Sequence, residues 1–360
     1  MLCRTRHWCT APSHGEINVR ARHVIRVLLA TAVLIGALWW VLSGVNLSLT
    51  FSIIGQSDVI IILLCVPIIL LSHVVRASRW RTMLTESSQS FSLGTAYNAV
   101  MIGYAANTIV PRSGEVIRPW VFAKRSGISV STSLASVIVE RLLDVLTLLL
   151  GIGLVLLFEG AQLSAAIPSL STDVITYGMG LPALVLAVIV AIVAFTDAGQ
   201  RVVTQLLRPL GPRVTTKIVS VLDGLHRGTS ILRRPSLWLR AIVETILLWS
   251  LYILPLYILL QAIPFQPELH TTFLDAAVML VIISVGVTIA PTPGALGIYQ
   301  GFAQAALVRI HGVDDSSALA FGVLAWVVNY GVALLAGGLS AFLEMRNGLS
   351  WSDVRESSTS

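Results

Sequence analysis

Runs of about twenty apolar residues recur along this chain and constrain it more than any other feature. A helix rises 1.5 Å per residue, so such a run crosses the roughly 30 Å hydrocarbon core of a bilayer. Six runs are readable, at about 24–43, 58–75, 130–158, 174–195, 237–261 and 317–343. Lipid offers no water to backbone polar groups, so lone apolar segments of this kind must be helical. The expected fold class is an all-α polytopic membrane protein. A mean hydropathy of +0.84 over 360 residues, only 12% of them charged, excludes an ordinary soluble domain.

Charge then orients the runs. The net charge of +6 is gathered into particular loops, as the positive-inside rule requires, and is not a nucleic-acid signature. Residues 1–23 carry Arg4, Arg6, Arg20 and Arg22 and read as a cytoplasmic basic tail. The first run is long for a signal-peptide core, so a retained span is expected. Loops 44–57, 159–172 and 262–273 lack Lys and Arg and are placed outside. Arg76, Arg79 and Arg81 mark a return to the cytoplasm, with Trp80 as an interface anchor. Segment 196–237 contains seven Arg or Lys between apolar residues and reads as a basic cytoplasmic connector or surface element. With 346–360 as a short tail inside, both termini are expected in the cytoplasm of a cell with an inner or plasma membrane that holds the chain. Cys3, Cys9 and Cys65 suggest no disulfide framework.

Two apolar segments are broken. Between 91 and 125 the chain runs through Asn107-Thr-Ile-Val-Pro-Arg-Ser-Gly-Glu-Val-Ile-Arg-Pro119, with helix breakers at Pro111, Gly114 and Pro119. Both flanks are basic, so this segment is predicted to be a re-entrant hairpin turning at Pro111–Gly114. The second, 274–310, turns at Pro291, Pro293, Gly294 and Gly297. TIVPRSG at 108–114 and TIAPTPG at 288–294 share Thr, Ile, Pro and Gly in register. The halves, about 58–158 and 237–345 of a transmembrane domain covering 24–345, then form an inverted-topology repeat. Transporters built this way place their site at mid-depth, where helices are broken.

The ionisable residues within these segments are expensive in lipid and therefore candidates for function. Arg112, Glu115 and Arg118 are spaced to lie along one side of a helix. Glu140 and Asp144 share a face, with Arg141 adjacent, about 15–20 Å from the start of their helix. Guanidinium forks suit a lipid phosphate, and the carboxylates could position them or exchange a proton. The alternative is a salt-bridge network that only braces the hairpin. Asn107 and Asn329 are candidates for polar contacts between helices, and Glu244 is placed near the cytoplasmic interface. The amides freed at Pro291–Gly297 could hold an anionic headgroup. The sequence holds none of the usual protease, hydrolase, Walker or CxxC motifs. His73, His226, His270 and His311 are scattered, so neither a metal nor a cofactor is expected.

Arg79-Trp80, Asn107…Pro111-Arg-Ser-Gly-Glu115…Arg118, Ser136…Glu140-Arg-Leu-Leu-Asp144 and Pro291-Thr-Pro-Gly-Ala-Leu-Gly297 together resemble the transmembrane region of lysylphosphatidylglycerol synthases. This flippase-like domain also occurs in stand-alone membrane proteins. The resemblance covers about 24–345. It implies movement of a lipid across the bilayer, aminoacylated phosphatidylglycerol in the bifunctional synthases and hopanoid or polyprenyl-linked lipids in other members. The family's second motif continues to a Glu where this chain has Gln300, which argues against ion coupling there. No counterpart of the soluble synthase domain is read after the last span, so aminoacyl transfer is not expected.

The functional expectation is a non-enzymatic lipid flippase or transporter, its partners a membrane lipid, the bilayer and either a second copy or a lipid-synthesising enzyme. The substrate would meet Asn107, Arg112, Glu115, Arg118, Glu140, Arg141 and Asp144. The alternatives are an intramembrane lipid-modifying transferase and a non-transporting scaffold for an envelope lipid enzyme.

Overall fold

The computed structural model describes residues 35–84, 91–166, 171–196, 235–265, 269–290 and 292–349, with positions 32, 201 and 205. Among them every regular element is helical. In chain order these are α1 (Ile35–Leu42), α2 (Leu47–Gln56), α3 (Val59–Leu84), α4 (Leu93–Ile109), α5 (Gly114–Ser126), α6 (Val130–Phe158) and α7 (Gly160–Ala166). A π-helical stretch, Val174–Gly180, runs on into α8 (Leu181–Phe195). Then come α9 (Pro235–Ala262), α10 (Phe273–Ile289), α11 (Ile298–His311) and α12 (Asp315–Arg346). The N-terminal tail, half of the predicted first span, most of the basic segment 196–237, Pro291 and the tail from 350 lie outside the described residues.

Five helices are long and apolar enough to cross a bilayer: Val59–Leu84, Val130–Phe158, Val174–Ile192, Leu237–Ala262 and Asp315–Arg346. The chain is thus an all-helical, multi-span membrane protein. A sixth crossing requires α1 and α2 together, and their axes differ by 81°. The segment 44–57, expected as a loop, is thus helical over Leu47–Gln56. Asn46 caps a new helix there, its Oδ1 accepting from the Leu49 amide at 3.1 Å. The segment Leu-Ser-Leu-Thr-Phe-Ser-Ile-Ile then packs on α12, where Thr50 donates to the Ser316 carbonyl at 3.2 Å. An absence of Lys and Arg reports which side of the membrane a segment lies on, not its secondary structure. Similarly, the predicted loop 159–172 contains α7.

Local chemistry sets the other helix ends. Ser129 caps α6 through the Thr132 amide, Thr272 and Asp275 form a capping box at α10, and Asp314 accepts from the Ser316 and Ser317 amides at α12. The helix begun at Val59 does not stop at Val75 but continues to Leu84, with Pro67 inside it.

The two broken segments are helix–turn–helix hairpins, α4–α5 and α10–α11. Both first arms have 17 residues, and they end at Ile109 and Ile289, matched positions of the TIVPRSG and TIAPTPG stretches. In each half a long helix is followed by a hairpin and a second long helix, and neighbours along the chain pack in the same pairs. α3 lies along α9, and α4 along α12, so the halves pack on each other. In the first hairpin Gly114 sits against Gly103, so close that a Cβ on Gly114 would collide with the Gly103 carbonyl. Close backbone approach through small residues is how helices associate where lipid removes the hydrophobic drive.

Candidate functional site

α3 presents Arg76 and Arg79 three residues apart, hence on one face. α6 presents Glu140 and Asp144 four residues apart, and α5 contributes Arg118. These side chains converge. Arg76 bridges both carboxylates, Nη1 lying 2.8 Å from Glu140 Oε1 and Nη2 3.1 Å from Asp144 Oδ2. Arg79 Nη2 is 2.5 Å from Asp144 Oδ1 and 3.5 Å from Glu140 Oε1. Arg118 Nη2 is 2.7 Å from Glu140 Oε2, and Arg141 Nη1 is 3.8 Å from Asp144 Oδ2. Glu140 and Arg79 are completely buried, and Arg76 and Arg118 nearly so. Buried ions are tolerated only when paired with good geometry and further hydrogen bonds. Some of those bonds are present, Arg76 Nε donating to the Tyr252 hydroxyl at 2.8 Å and Arg79 Nη1 to Thr245 Oγ1 at 3.2 Å, whereas Arg79 Nε, Arg118 Nε and Arg141 Nε have no hydrogen-bond partner among the described residues. The Arg118 guanidinium also lies 3.9 Å over the Trp80 ring, whose Nε1 donates to Ser136 at 2.9 Å.

The cluster is not neutral. Four guanidinium groups meet two carboxylates, leaving two positive charges uncompensated inside it. Beside it lies a cavity of about 500 Å³. Arg76, Arg141 and Asp144 line it from the cluster, and Asn107, Pro111, Arg112 and Glu115 from the first hairpin. Thr288, Thr292, Gly294 and Ala295 line it from the second hairpin. A smaller cavity, about 320 Å³, shares Arg76, Arg141, Tyr104, Tyr252 and Tyr330 with it and extends toward His73, Tyr299 and Asn329.

Each hairpin tip is held by an amide side chain. Asn107 Oδ1 accepts from the Gly114 amide at 2.7 Å, closing a turn in which Arg112 takes a left-handed φ of 63°. Gln300 Oε1 accepts from the Gly297 amide at 2.7 Å, with Gly294 and Gly297 at φ 56° and 80°. That conformation explains glycine at both positions. The tips touch one another, since a Cβ on Gly294 would lie 3.2 Å from Thr108, and Trp326 Nε1 donates to the Gly294 carbonyl at 2.7 Å.

The structure divides the residues singled out from sequence. Arg118 is buried against Glu140, whereas Arg112 lies in the turn and Glu115 opens the helix, both exposed at the cavity wall. The three do not form one stripe: Arg112 precedes α5, and within α5 Glu115 is exposed in the first turn while Arg118 is on the buried face. Asn107 serves its own hairpin rather than a distant helix. Asn329 lines the smaller cavity. Glu244 accepts from Ser78 at 2.7 Å and Thr82 at 3.2 Å, tying α9 to the end of α3. The expectation of Trp80 as an interface anchor is corrected, because Trp80 is fully buried, and Arg76 and Arg79 sit at the heart of the network. A signal for them existed in the sequence. Two Arg at i, i+3 complement two carboxylates at i, i+4 on another apolar helix.

Fold and site define a multi-span membrane protein in which two broken hairpins meet beside a buried, arginine-rich charge cluster. The family follows from comparison with known proteins. The chain belongs to the lysylphosphatidylglycerol synthase TM region family, whose profile matches residues 27–337. It is similar to the UPF0104 membrane protein PH1989 of Pyrococcus horikoshii, 23% identical over 340 residues, which cover 88% of this chain and 96% of that one. It is also similar to glycosyltransferase AglD of Haloferax volcanii, 28% identical over 136 residues, 37% of this chain and 22% of that protein.

Proposed function

We propose that this protein is a lipid flippase or transporter of the cell membrane that moves a phosphate-bearing amphiphilic lipid between leaflets. The observation that carries this reading is the uncompensated positive charge of the Arg76–Arg79–Arg118–Arg141 cluster, facing a cavity whose walls include both hairpin tips. Guanidinium groups in excess of their carboxylate partners suit a phosphate, and an apolar bundle gives a lipid access to them from the bilayer. The matched arms α4 and α10 and their touching tips support re-entrant hairpins in an inverted repeat, and the basic residues of 1–23 support cytoplasmic termini. The hairpins then exchange access to one central cavity.

The similarity to a protein named as a glycosyltransferase favours a second reading, a lipid-modifying transferase acting on the same bound phosphate. The two part in proteoliposomes. Reconstituted with labelled glycerophospholipids and polyprenyl-linked lipids, a flippase moves one class without a group donor. Arg112→Ala and Glu115→Gln are the informative variants, because neither side chain belongs to the buried network and folding should survive. The expected result is loss of transport by at least about tenfold in both, the cost of removing a charged hydrogen bond. No movement of any lipid, with or without an ion gradient, would refute the flippase reading. Product formed only when a glycosyl or aminoacyl donor is added would establish the transferase.

A further inference from the structure

The smaller cavity has a chemistry of its own. His73, on α3, is 3% exposed, lines this cavity and has both ring nitrogens without a hydrogen-bond partner. Its ring lies 4.6 Å from that of Tyr104. Buried polar atoms are rarely left unpaired, and a cluster of them around a void points to an absent partner. Tyr299 and Tyr330 complete an aromatic wall, their rings 5.9 Å apart, and among the described residues no protein group bonds their hydroxyls. Neutral imidazole, phenol and amide groups each offer a donor and an acceptor, as does an alcohol.

The charge pattern decides against an ammonium group. Arg76 and Arg141 line this cavity and no carboxylate does. Aromatic faces could hold a cation, but Arg76 already lies 5.6 Å over Tyr104 and 5.8 Å over Tyr252. A volume of about 320 Å³ is at the lower end for small-ligand sites and suits one headgroup rather than an acyl chain.

Accepting that a lipid phosphate binds at the arginine cluster, we infer that the His73–Tyr299–Tyr330 cavity receives an uncharged, hydroxyl-rich headgroup carried on that phosphate, a sugar or cyclitol, and rejects an amine-bearing aminoacyl headgroup. The shared chemistry is a polyol phosphate, whether on a glycerolipid or on a polyprenyl chain.

The test is equilibrium binding to the purified full chain in detergent, with four probes. Dioctanoyl phosphatidic acid presents the bare phosphate, and dioctanoyl lysylphosphatidylglycerol the amine. Dioctanoyl phosphatidylinositol and a short polyprenyl phosphohexose present hydroxyls from the two lipid sources. The expected result is at least about tenfold tighter binding of one or both polyol probes than of the other two, a difference of one or two hydrogen bonds. Which polyol probe binds identifies the source. In His73→Phe and Tyr330→Phe the ratio of polyol lipid to phosphatidic acid falls toward one. Tyr330→Phe keeps the ring stacked on Trp326 at 5.7 Å, so the test does not depend on the more buried histidine. Equal or tighter binding of the lysyl lipid, or a ratio unmoved in both variants, overturns the inference. Selective binding without translocation would remove the flippase reading and leave this one standing. Translocation without headgroup selectivity would do the reverse.

Discussion

Replacing Glu140 with Gln keeps its shape and one carbonyl oxygen but removes the charge that three arginines share. Glu140 is fully buried, with Arg118 at 2.7 Å, Arg76 at 2.8 Å and Arg79 at 3.5 Å. The cluster's excess charge rises from two to three, and Arg118 loses its carboxylate partner. Breaking a buried ion pair by removing one member costs about 3–5 kcal/mol, because the other charge is left uncompensated. With about 2–4 °C per kcal/mol for a chain of this order of size, the melting temperature should fall by roughly 6–20 °C. Intrinsic tryptophan fluorescence during heating, in detergent or nanodiscs, reads this shift. The pairing adds a sharper criterion. Arg118→Met alone should also destabilise, yet the double variant should lose at least about 1 kcal/mol less than the sum, as expected for residues in contact. A Glu140→Gln protein that melts within about 2 °C of the native chain, or strictly additive losses, would refute the view that this carboxylate joins α5 to α3 and α6.

Three further outcomes follow from the same geometry. Gly114→Ala drives a methyl into the Gly103 carbonyl, so α4 and α5 must part; folded yield on size-exclusion chromatography should drop severely, while Gly331→Ala, with open space around it, should not change it. Asn107→Ala and Gln300→Ala each remove the acceptor for one hairpin-tip amide, and each should cost about 1–2 kcal/mol in thermal unfolding, with faster amide exchange at Gly114 or Gly297 respectively. Arg76→Lys keeps the charge but cannot reach Glu140, Asp144 and Tyr252 together, so it should destabilise measurably and weaken lipid binding although net charge is unchanged.

Apolar run length alone set the class of protein, because a bilayer admits only helices and closed barrels, and 20-residue apolar segments suit helices. The span read at about 130–158 matches α6, Val130–Phe158, since Ser129 caps the helix and polar Glu159 follows its last apolar residue. So were the breaks near Pro111 and Gly294, because proline and glycine act through their own backbone chemistry. Glu140 and Asp144 stood out as charges in an apolar run. Their partners did not. Arg76 and Arg79 lie some 60 residues away at the end of a helix, where a sequence-based reading takes arginine as a marker of the membrane surface. Only the packing of α3 against α5, α6 and α9 turns that end inward. The same holds for Trp80, equally suited by its chemistry to an interface or to covering Arg118. Arg112, Glu115 and Arg118 could be given a common helix phase on paper, but Arg112 precedes α5, and within α5 only Arg118 is on the buried face. Spacing specifies which residues share a face within one helix. Which faces meet, and so which charges are paired and which remain for a ligand, depends on contacts far apart in the chain.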